Sequence, residues 1–484
     1  MNGVSIARHR TALSRSNLSR PVRLALEDGL INQDTEVFDY GCGRGTDISE
    51  LNRRNITCKG WDPVHRPDEQ QTHADIVNLG YVVNVIENAK ERITVLQEAW
   101  KLTRKLLIVS ARLFIEAKDN HTAYEDGCLT RLGTFQKFYE QQELKNWINS
   151  VLGVTSVPVA PGVFYIFRDD TLRESYLASR YRRKTAAPRQ LTSDRLFEEH
   201  KSLFDPLMEF IATRGRLPDE TEFELAQQVQ EKIGSLKRAF GIIRQVTGTE
   251  QWEKIREERA QDILLYLALA RFDGRPRFSQ LPRDLQFDVR AFFSTYSNAC
   301  DQADELLFSV GDLKKVHDAC RLSPVGKQTP TALYIHISAL QELPPILRVY
   351  EGCARALVGT VEGANIIKLH RDVPQISYLL YPDFERDPHP ALNASLLVHL
   401  QTFRIKYREY TDSKNPPILH RKEEFIAKGH PLHPKFKRLT EQEEKWGLYE
   451  STQAIGTREG WETLLCQKSI QLSGHRLTKT KTRG

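Results

Sequence analysis

The chain has 484 residues, 27% of them charged and 40% hydrophobic, which is the make-up of a soluble globular protein with two or three domains, each large enough for its own core. No apolar run approaches ~20 residues, which excludes a membrane-spanning helix, and the N-terminus lacks the apolar stretch of a signal peptide. Seven cysteines without paired spacing point to a reducing cytoplasm, not a disulfide framework; the net charge of +6 is modest, and its distribution says more than its size.

Residues 1–26 carry Arg8, Arg10, Arg15, Arg20 and Arg23 and no acidic residue. Two readings stand for this arm: a solvated tether, or a lid that closes on a ligand or touches phosphates through Arg8, Arg10 and Arg15. From Leu18 to Leu30 the apolar spacing is helical.

The stretch Glu36-Val37-Phe38-Asp39-Tyr40-Gly41-Cys42-Gly43-Arg44-Gly45-Thr46-Asp47 reads as a short buried strand, a glycine turn and a helix over Asp47–Arg54. Glycines at 41, 43 and 45 remove Cβ atoms where the backbone bends and a ligand comes close. Backbone N–H groups at the helix start face the same space. The spacing G-x-G-x-G differs from the G-x-G-x-x-G of a dinucleotide pyrophosphate site. Asp39, just before the glycines, suits a ligand with an amino group. A second strand, Ile56–Trp61, ends in Asp62, placed to accept hydrogen bonds from ribose hydroxyls. The pair of features resembles motifs I and II of class I S-adenosylmethionine-dependent methyltransferases. That resemblance implies an α/β, Rossmann-like fold and S-adenosyl-L-methionine held by Asp39, Tyr40, Gly41, Cys42, Gly43, Gly45, Asp62, Asn78 and Leu79.

Only twelve residues separate Asp62 from Asp75, fewer than a crossover helix and strand need, so one helix and one strand of such a domain are reduced to a loop around Pro63–Thr72. A strand from Ala74 reaches the edge of the site at Asn78 and hands over to a helix through Val82–Ile86. A helix over Arg92–Lys101 follows, then a buried strand over Lys105–Ser110, a helical segment over Thr130–Ile148, and a hairpin over Val157–Phe167. Residues 1–170 thus form the methyltransferase-like domain with its basic arm.

Residues 171–195 read as a basic linker, with Arg180, Arg182, Arg183 and Lys184 as candidates to lie along a polyanion; a solvated helix face and tether explains the charge equally. Residues 196–325 have helical apolar stripes and no nucleotide or metal motif, the pattern of a scaffold or partner-binding domain. Residues 326–484 read as α+β, with strands at Leu333–His336 and Ser377–Tyr381 and a basic tail over His475–Lys481.

Taken together, Arg8-His9-Arg10-Thr11-Ala12, Phe38–Gly45, Gly60-Trp61-Asp62-Pro63, Asn78-Leu79-Gly80-Tyr81, Gly133-Thr134-Phe135-Gln136-Lys137, Tyr381-Pro382-Asp383-Phe384 and Asn415–Glu423 resemble a family of methyltransferase-like proteins associated with bacterial DNA phosphorothioation, nearly end to end. The resemblance implies a DNA-modification or restriction setting, with DNA, plain or phosphorothioated, and other proteins of the system as partners. It does not establish a substrate.

Two templates fit the strand end at Asn78. Amino-group DNA methyltransferases place a polar residue, two prolines and an aromatic here; Asn78 and Tyr81 keep the ends without the prolines, and would serve as catalytic residues on an extruded base. The run Gly80–Val85 fits small-molecule and RNA methyltransferases as well, in which case Asn78 only neighbours the cofactor. A third reading is a protein that binds cofactor without turnover, as an adaptor or DNA-binding component. Phe135 and Tyr139 are candidates for a second stacking wall. Asn415-Pro416-Pro417-Ile418 resembles a catalytic turn but reads as a rigid structural turn before a helix start at His420–Glu423. Asp383, Glu385 and Lys422 allow a nuclease reading without a tight motif, and the histidines lack the cysteine spacing of a zinc site, so no metal is expected.

Overall fold

The computed structural model describes residues 6–12, 15–117, 122–189, 195–450 and 455–479. Leu13 and Ser14 of the arm, residues 190–194 of the expected linker, and Thr480 and Lys481 of the tail lie outside the described residues. The chain divides into two compact units, residues 1–169 with 325–339 and 353–484, and residues 170–324 with 340–352.

In the first unit, helix α1 (Arg20–Glu27) precedes strand β1 (Val37–Tyr40), whose four residues are all buried. A short, wholly buried run is what a central parallel strand needs, because both of its faces are covered. Helix α2 (Thr46–Asn52) leads to β2 (Cys58–Trp61), then come β3 (Ala74–Gly80), α3 (Ala89–Leu102) and β4 (Thr103–Ser110). The small strands β5 (Thr122–Tyr124), β6 (Gly127–Leu129) and β7 (Phe135–Gln136) form their own sheet, followed by α4 (Gln141–Leu152), β8 (Val157–Ala160) and β9 (Val163–Phe167).

The main sheet runs β2-β1-β3-β4-β9-β8. The β1–β2, β1–β3 and β3–β4 pairs are parallel, and β9 is antiparallel to both β4 and β8. Between Asp62 and Ala74 there is neither helix nor crossover strand, so β2 is the sheet edge, in keeping with the short spacing. Phe38, Val77, Leu79, Leu107, Val109, Phe164 and Ile166 of the sheet pack with Leu96 and Ala99 of α3 and Leu144 and Ile148 of α4. Each large side chain so buried contributes about 1.5–3 kcal/mol. Asn88 caps α3 by accepting from the N–H groups of Lys90 (2.9 Å) and Glu91 (3.2 Å).

Three local expectations need correction. Val82–Ile86 is a turn closed by the Val85 N–H on the Val82 carbonyl, not a helix. Residues 130–140 are not helical: β7 lies there, and α4 starts at Gln141. Phe135 and Tyr139 are buried in the core, Tyr139 against Trp147, so neither offers a stacking wall.

Later in the same unit a six-stranded antiparallel sheet runs in chain order: β10 (Lys327–Gln328), β11 (Ala332–His336), β12 (Ile366–His370), β13 (Gln375–Leu380), β14 (Ala394–His399) and β15 (Ile405–Glu409). The Thr360 N–H donates to the Val159 carbonyl of β8 (2.6 Å) and Gln141 Nε2 to the Leu357 carbonyl (3.1 Å), joining this part of the unit to the first sheet. Pro417 and Ile418 make isolated bridges to Thr457 and Ala391, so the Asn415–Ile418 turn is structural. Lys422 is buried with Nζ donating to the Phe384 (2.7 Å) and Asp387 (2.5 Å) carbonyls, a clamp between loops that removes it from any nuclease site.

The second unit is helical. Its first helix, Asp170–Tyr181, occupies the start of the stretch read as a linker over 171–195, and buries Glu174, Tyr176 and Tyr181. Asp262, itself buried, accepts from Arg348 (2.7 Å), Arg259 (3.1 Å) and the backbone N–H of Arg183 (2.8 Å). Asp288 pairs with Arg214 and Arg216. Among the described residues no helix is long and apolar enough to cross a membrane.

Candidate functional site

The turn from β1 into α2 is built on backbone that side chains resist. Gly41, Gly43 and Gly45 have φ of +77°, +52° and +78°, a left-handed conformation that costs other residues ~1–2 kcal/mol each. The N–H groups of Gly41 and Cys42 donate to the Trp61 carbonyl (2.8 and 3.1 Å), which ties the turn to the end of β2.

Asp39 and Asn78 are direct neighbours in register across β1 and β3, and Asn78 Nδ2 donates to Asp39 Oδ1 at 2.8 Å. Both are buried, and among the described residues Asn78 Oδ1 has no hydrogen-bond partner. Burial and the nearby charge of Asp47 push the Asp39 carboxyl up to about 7, against the Asn78 hydrogen bond and Arg15. Asp47 is a site residue that the motif reading passes over; it accepts from the Ser19 N–H at 2.6 Å and lies 3.6 Å from the Arg15 guanidinium. Its position just after the glycines, in the first turn of α2, is the signal that marks it. Arg15, Asp39, Gly41, Cys42, Thr46, Asp47, Asn78 and Gly80 line a polar cavity of about 20 Å³, room for about one water.

Three side chains crowd the glycine turn beside this cavity. A Cβ on Gly43 would lie 3.1 Å from Ala12 of the arm, one on Gly41 2.5 Å from Val82, and one on Gly45 2.7 Å from the Arg66 guanidinium. Tyr40 is buried edge-to-face on Trp61, Leu79 is fully buried, and the Cys42 thiol is pushed up to about 12 by burial and by Asp39 and Asp62.

Asp62 sits at the end of β2 as expected, but its oxygens are largely engaged within the chain. Oδ1 accepts from Val64 N–H (3.0 Å), His65 N–H (2.8 Å) and His65 Nδ1 (3.1 Å), and Oδ2 from Gly43 N–H (3.0 Å). Burial opposes ionisation, yet these hydrogen bonds win and hold the carboxyl below its ordinary range. One acceptor position on Oδ2 is left for a hydroxyl. Tyr81 follows Gly80 with φ of +60°, unusual for a bulky residue, held by its N–H on the Ser110 carbonyl at 2.9 Å. Its side chain is partly buried, and burial raises its hydroxyl's pKa. Asn78 and Tyr81 therefore lie at one strand end, but Tyr81 is no open platform.

The basic candidates scatter. Arg8 pairs with Glu87 and Glu91, both at 2.7 Å; Arg10 is exposed; Arg15 faces Asp47. In the second unit Arg180 lies over the Tyr176 ring, Arg182 lines a small cleft with Arg214 and Asp288, and Lys184 is exposed. Arg183 donates to the Glu258 and Gln341 carbonyls and lies 3.3 Å from Asp262. Of these, Arg8 and Arg183 spend their donors within the protein. Among the described residues no cluster of His, Cys, Asp or Glu is placed to hold a metal ion.

No protein-family model matches the chain, and no curated protein matches it. Solved structures that match include a Burkholderia thailandensis 1,6-didemethyltoxoflavin-N1-methyltransferase with bound S-adenosylhomocysteine, 15% identical over 33% of this chain and 76% of that one, TM-score 0.22. An S-adenosylmethionine-bound amino pentose methyltransferase of Micromonospora echinaspora matches at 15% identity over 33% of this chain and 94% of that one, TM-score 0.24. Magnesium protoporphyrin IX methyltransferase of Synechocystis PCC 6803 matches at 12% identity over 34% and 93%, TM-score 0.24.

Proposed function

We propose that this protein is an S-adenosyl-L-methionine-dependent methyltransferase acting on nucleic acid, DNA in the first place, within a DNA phosphorothioation modification or restriction system. The observation that carries the cofactor part is the orphan Asn78 Oδ1, buried beside Asp39 at the left-handed glycine turn. A buried acceptor without a donor costs ~1–3 kcal/mol, and an ammonium group brought into this cavity would satisfy it. Asp39 and Asn78 would hold that ammonium, Arg15 the carboxylate beside it, and Asp62 Oδ2 a ribose hydroxyl. S-adenosylmethionine supplies an electrophilic methyl group on a sulfonium. The protein's task is then to hold the acceptor in line and to keep water out. The left-handed Tyr81, just after β3 and beside Asn78, would serve that task.

A second reading, cofactor binding without turnover, is favoured by one observation: Ala12, Val82 and Arg66 crowd the glycine turn. A nucleoside-sized ligand would have to move Ala12 and Arg66 aside, coupling binding to a movement of the arm, as a sensor requires. A tritiated-methyl assay on plain DNA, phosphorothioated DNA and RNA separates the two. Label on one nucleic acid, lost in Tyr81→Ala while cofactor binding persists, is the expected result. Label on none of the three, with cofactor bound, would replace the enzyme reading by the sensor.

A further inference from the structure

We propose that the face of the second sheet carrying Arg404, Lys406 and Arg408 binds a nucleic-acid phosphate backbone; this rests on the nucleic-acid part of the function proposed above. β15 is the edge strand and pairs only with β14. The Arg404 carbonyl, just before it, accepts from the His399 N–H at 2.9 Å and fixes the turn between the two strands. Alternate residues of a strand share a face, so 404, 406 and 408 line up ~7 Å apart.

The register extends the pattern across the sheet. Lys406 is opposite Leu397, Leu397 opposite Ser377, and Ser377 opposite Lys368. Arg408 is opposite Ser395, and His399 opposite Gln375. The described positions of β12–β15 on this face hold no Asp or Glu. Arg404, Lys406 and Arg408 are exposed and form no ion pair among the described residues. At the other end the face is roofed: His336 stacks on Phe384 and Tyr334 meets Phe425. The β14–β15 end is what stays open. Tyr407, 40% exposed, alternates with Lys406 and Arg408 along β15 and so lines the other side of the same edge, beside Glu409. A single strand laid along that edge would set its phosphates on one side and find the Tyr407 ring for a base on the other.

Cations on an edge strand also keep it from pairing with other chains. That role needs charge only at the edge and is indifferent to its sign. Here Arg404, Lys406 and Arg408 put three cations on one open face of the edge with no acidic residue of β12–β15 on that face, so a polyanion fits and edge protection alone does not require one sign.

The two roles part under charge reversal. The triple variant Arg404→Glu/Lys406→Glu/Arg408→Glu keeps a charged, protected edge, and Arg404→Gln/Lys406→Gln/Arg408→Gln removes the charge. Labelled single-stranded DNA, duplex DNA and RNA are titrated onto the full chain, with melting curves to confirm folding. The wild type should bind with affinity that falls steeply between ~50 and 200 mM salt. The glutamine variant should lose about three from the log–log salt slope, the glutamate variant should lose binding, and the strand type bound best identifies the partner. Wild-type binding that both folded variants retain with an unchanged slope overturns this face and leaves the nucleic-acid reading intact. No binding by the wild type to any of the three overturns both.

Discussion

The N-terminal arm and the edge of the second sheet are both basic, and the fold treats them in opposite ways. Four of the arm's five arginines are spent within the protein, Arg8 on Glu87 and Glu91, Arg15 beside Asp47, and Arg20 and Arg23 on Glu362, while Arg10 stays exposed. On β15 and just before it, Arg404, Lys406 and Arg408 meet solvent instead. In the sequence the arm is the more conspicuous, because five arginines stand there without an acidic residue. The carboxylates that absorb four of them lie up to several hundred positions away, and only the fold brings them together. Local charge density is therefore a poor guide to available charge.

The sharpest way to break the first half of this comparison is through the turn that the arm covers. Gly41→Val puts a β-branched residue at φ +77° with its Cβ 2.5 Å from Val82. Left-handed strain and overpacking together should destabilise by about 2–5 kcal/mol, read by denaturant unfolding. A single polar substitution at exposed Lys406 should stay within about 0.5 kcal/mol. Unaltered stability in Gly41→Val would mean that the turn has another conformation.

Asp62→Ala comes next. It frees the donors of Gly43, Val64 and His65, and each charge-assisted hydrogen bond is worth about 1.5–3 kcal/mol; a net loss of about 2–3 kcal/mol is expected, with weakened cofactor binding. Stability unchanged in chemical denaturation would show that these donors turn to water without cost.

How much of this was legible beforehand follows the range of each interaction. The glycine turn, the strand ends at Asp39, Asp62 and Asn78, and the missing strand after Asp62 could be read because each depends on residues close in sequence. Residues 82–86 and 130–140 read as helix because their apolar spacing suits one. What decides them is distant: the Tyr81 N–H is held by Ser110, and Lys137 N–H donates to the Asn84 carbonyl at 2.7 Å. The cover over the site is equally invisible in the sequence, since nothing local relates Ala12 to Gly43 or Ser19 to Asp47.

The smallest effect sharpens the contrast most cheaply. Arg8 is 41% exposed, and exposed ion pairs contribute about 0.2–1 kcal/mol. Arg8→Ala should therefore lower stability slightly and leave nucleic-acid affinity and its salt slope unchanged. A slope reduced by about one would return the arm to the nucleic-acid interface.

The central claim is that Asp39 and Asn78 receive the ammonium end of S-adenosylmethionine, and calorimetry across pH tests it most directly. The folded protein keeps a proton on Asp39 up to about 7, while the unfolded chain releases it in the ordinary carboxylate range. Asp39 thus makes stability fall as pH rises through that window, and level off above it. Binding of a cationic amino group needs the ionised carboxylate and should strengthen over the same rise. Titration of the cofactor and its demethylated product at pH 6 and pH 8, about one unit on either side of that value, should give one site per chain, tighter at the higher pH. Asp39→Asn should bind more weakly and lose the pH dependence. Folded wild type that binds neither ligand at millimolar concentration contradicts the account.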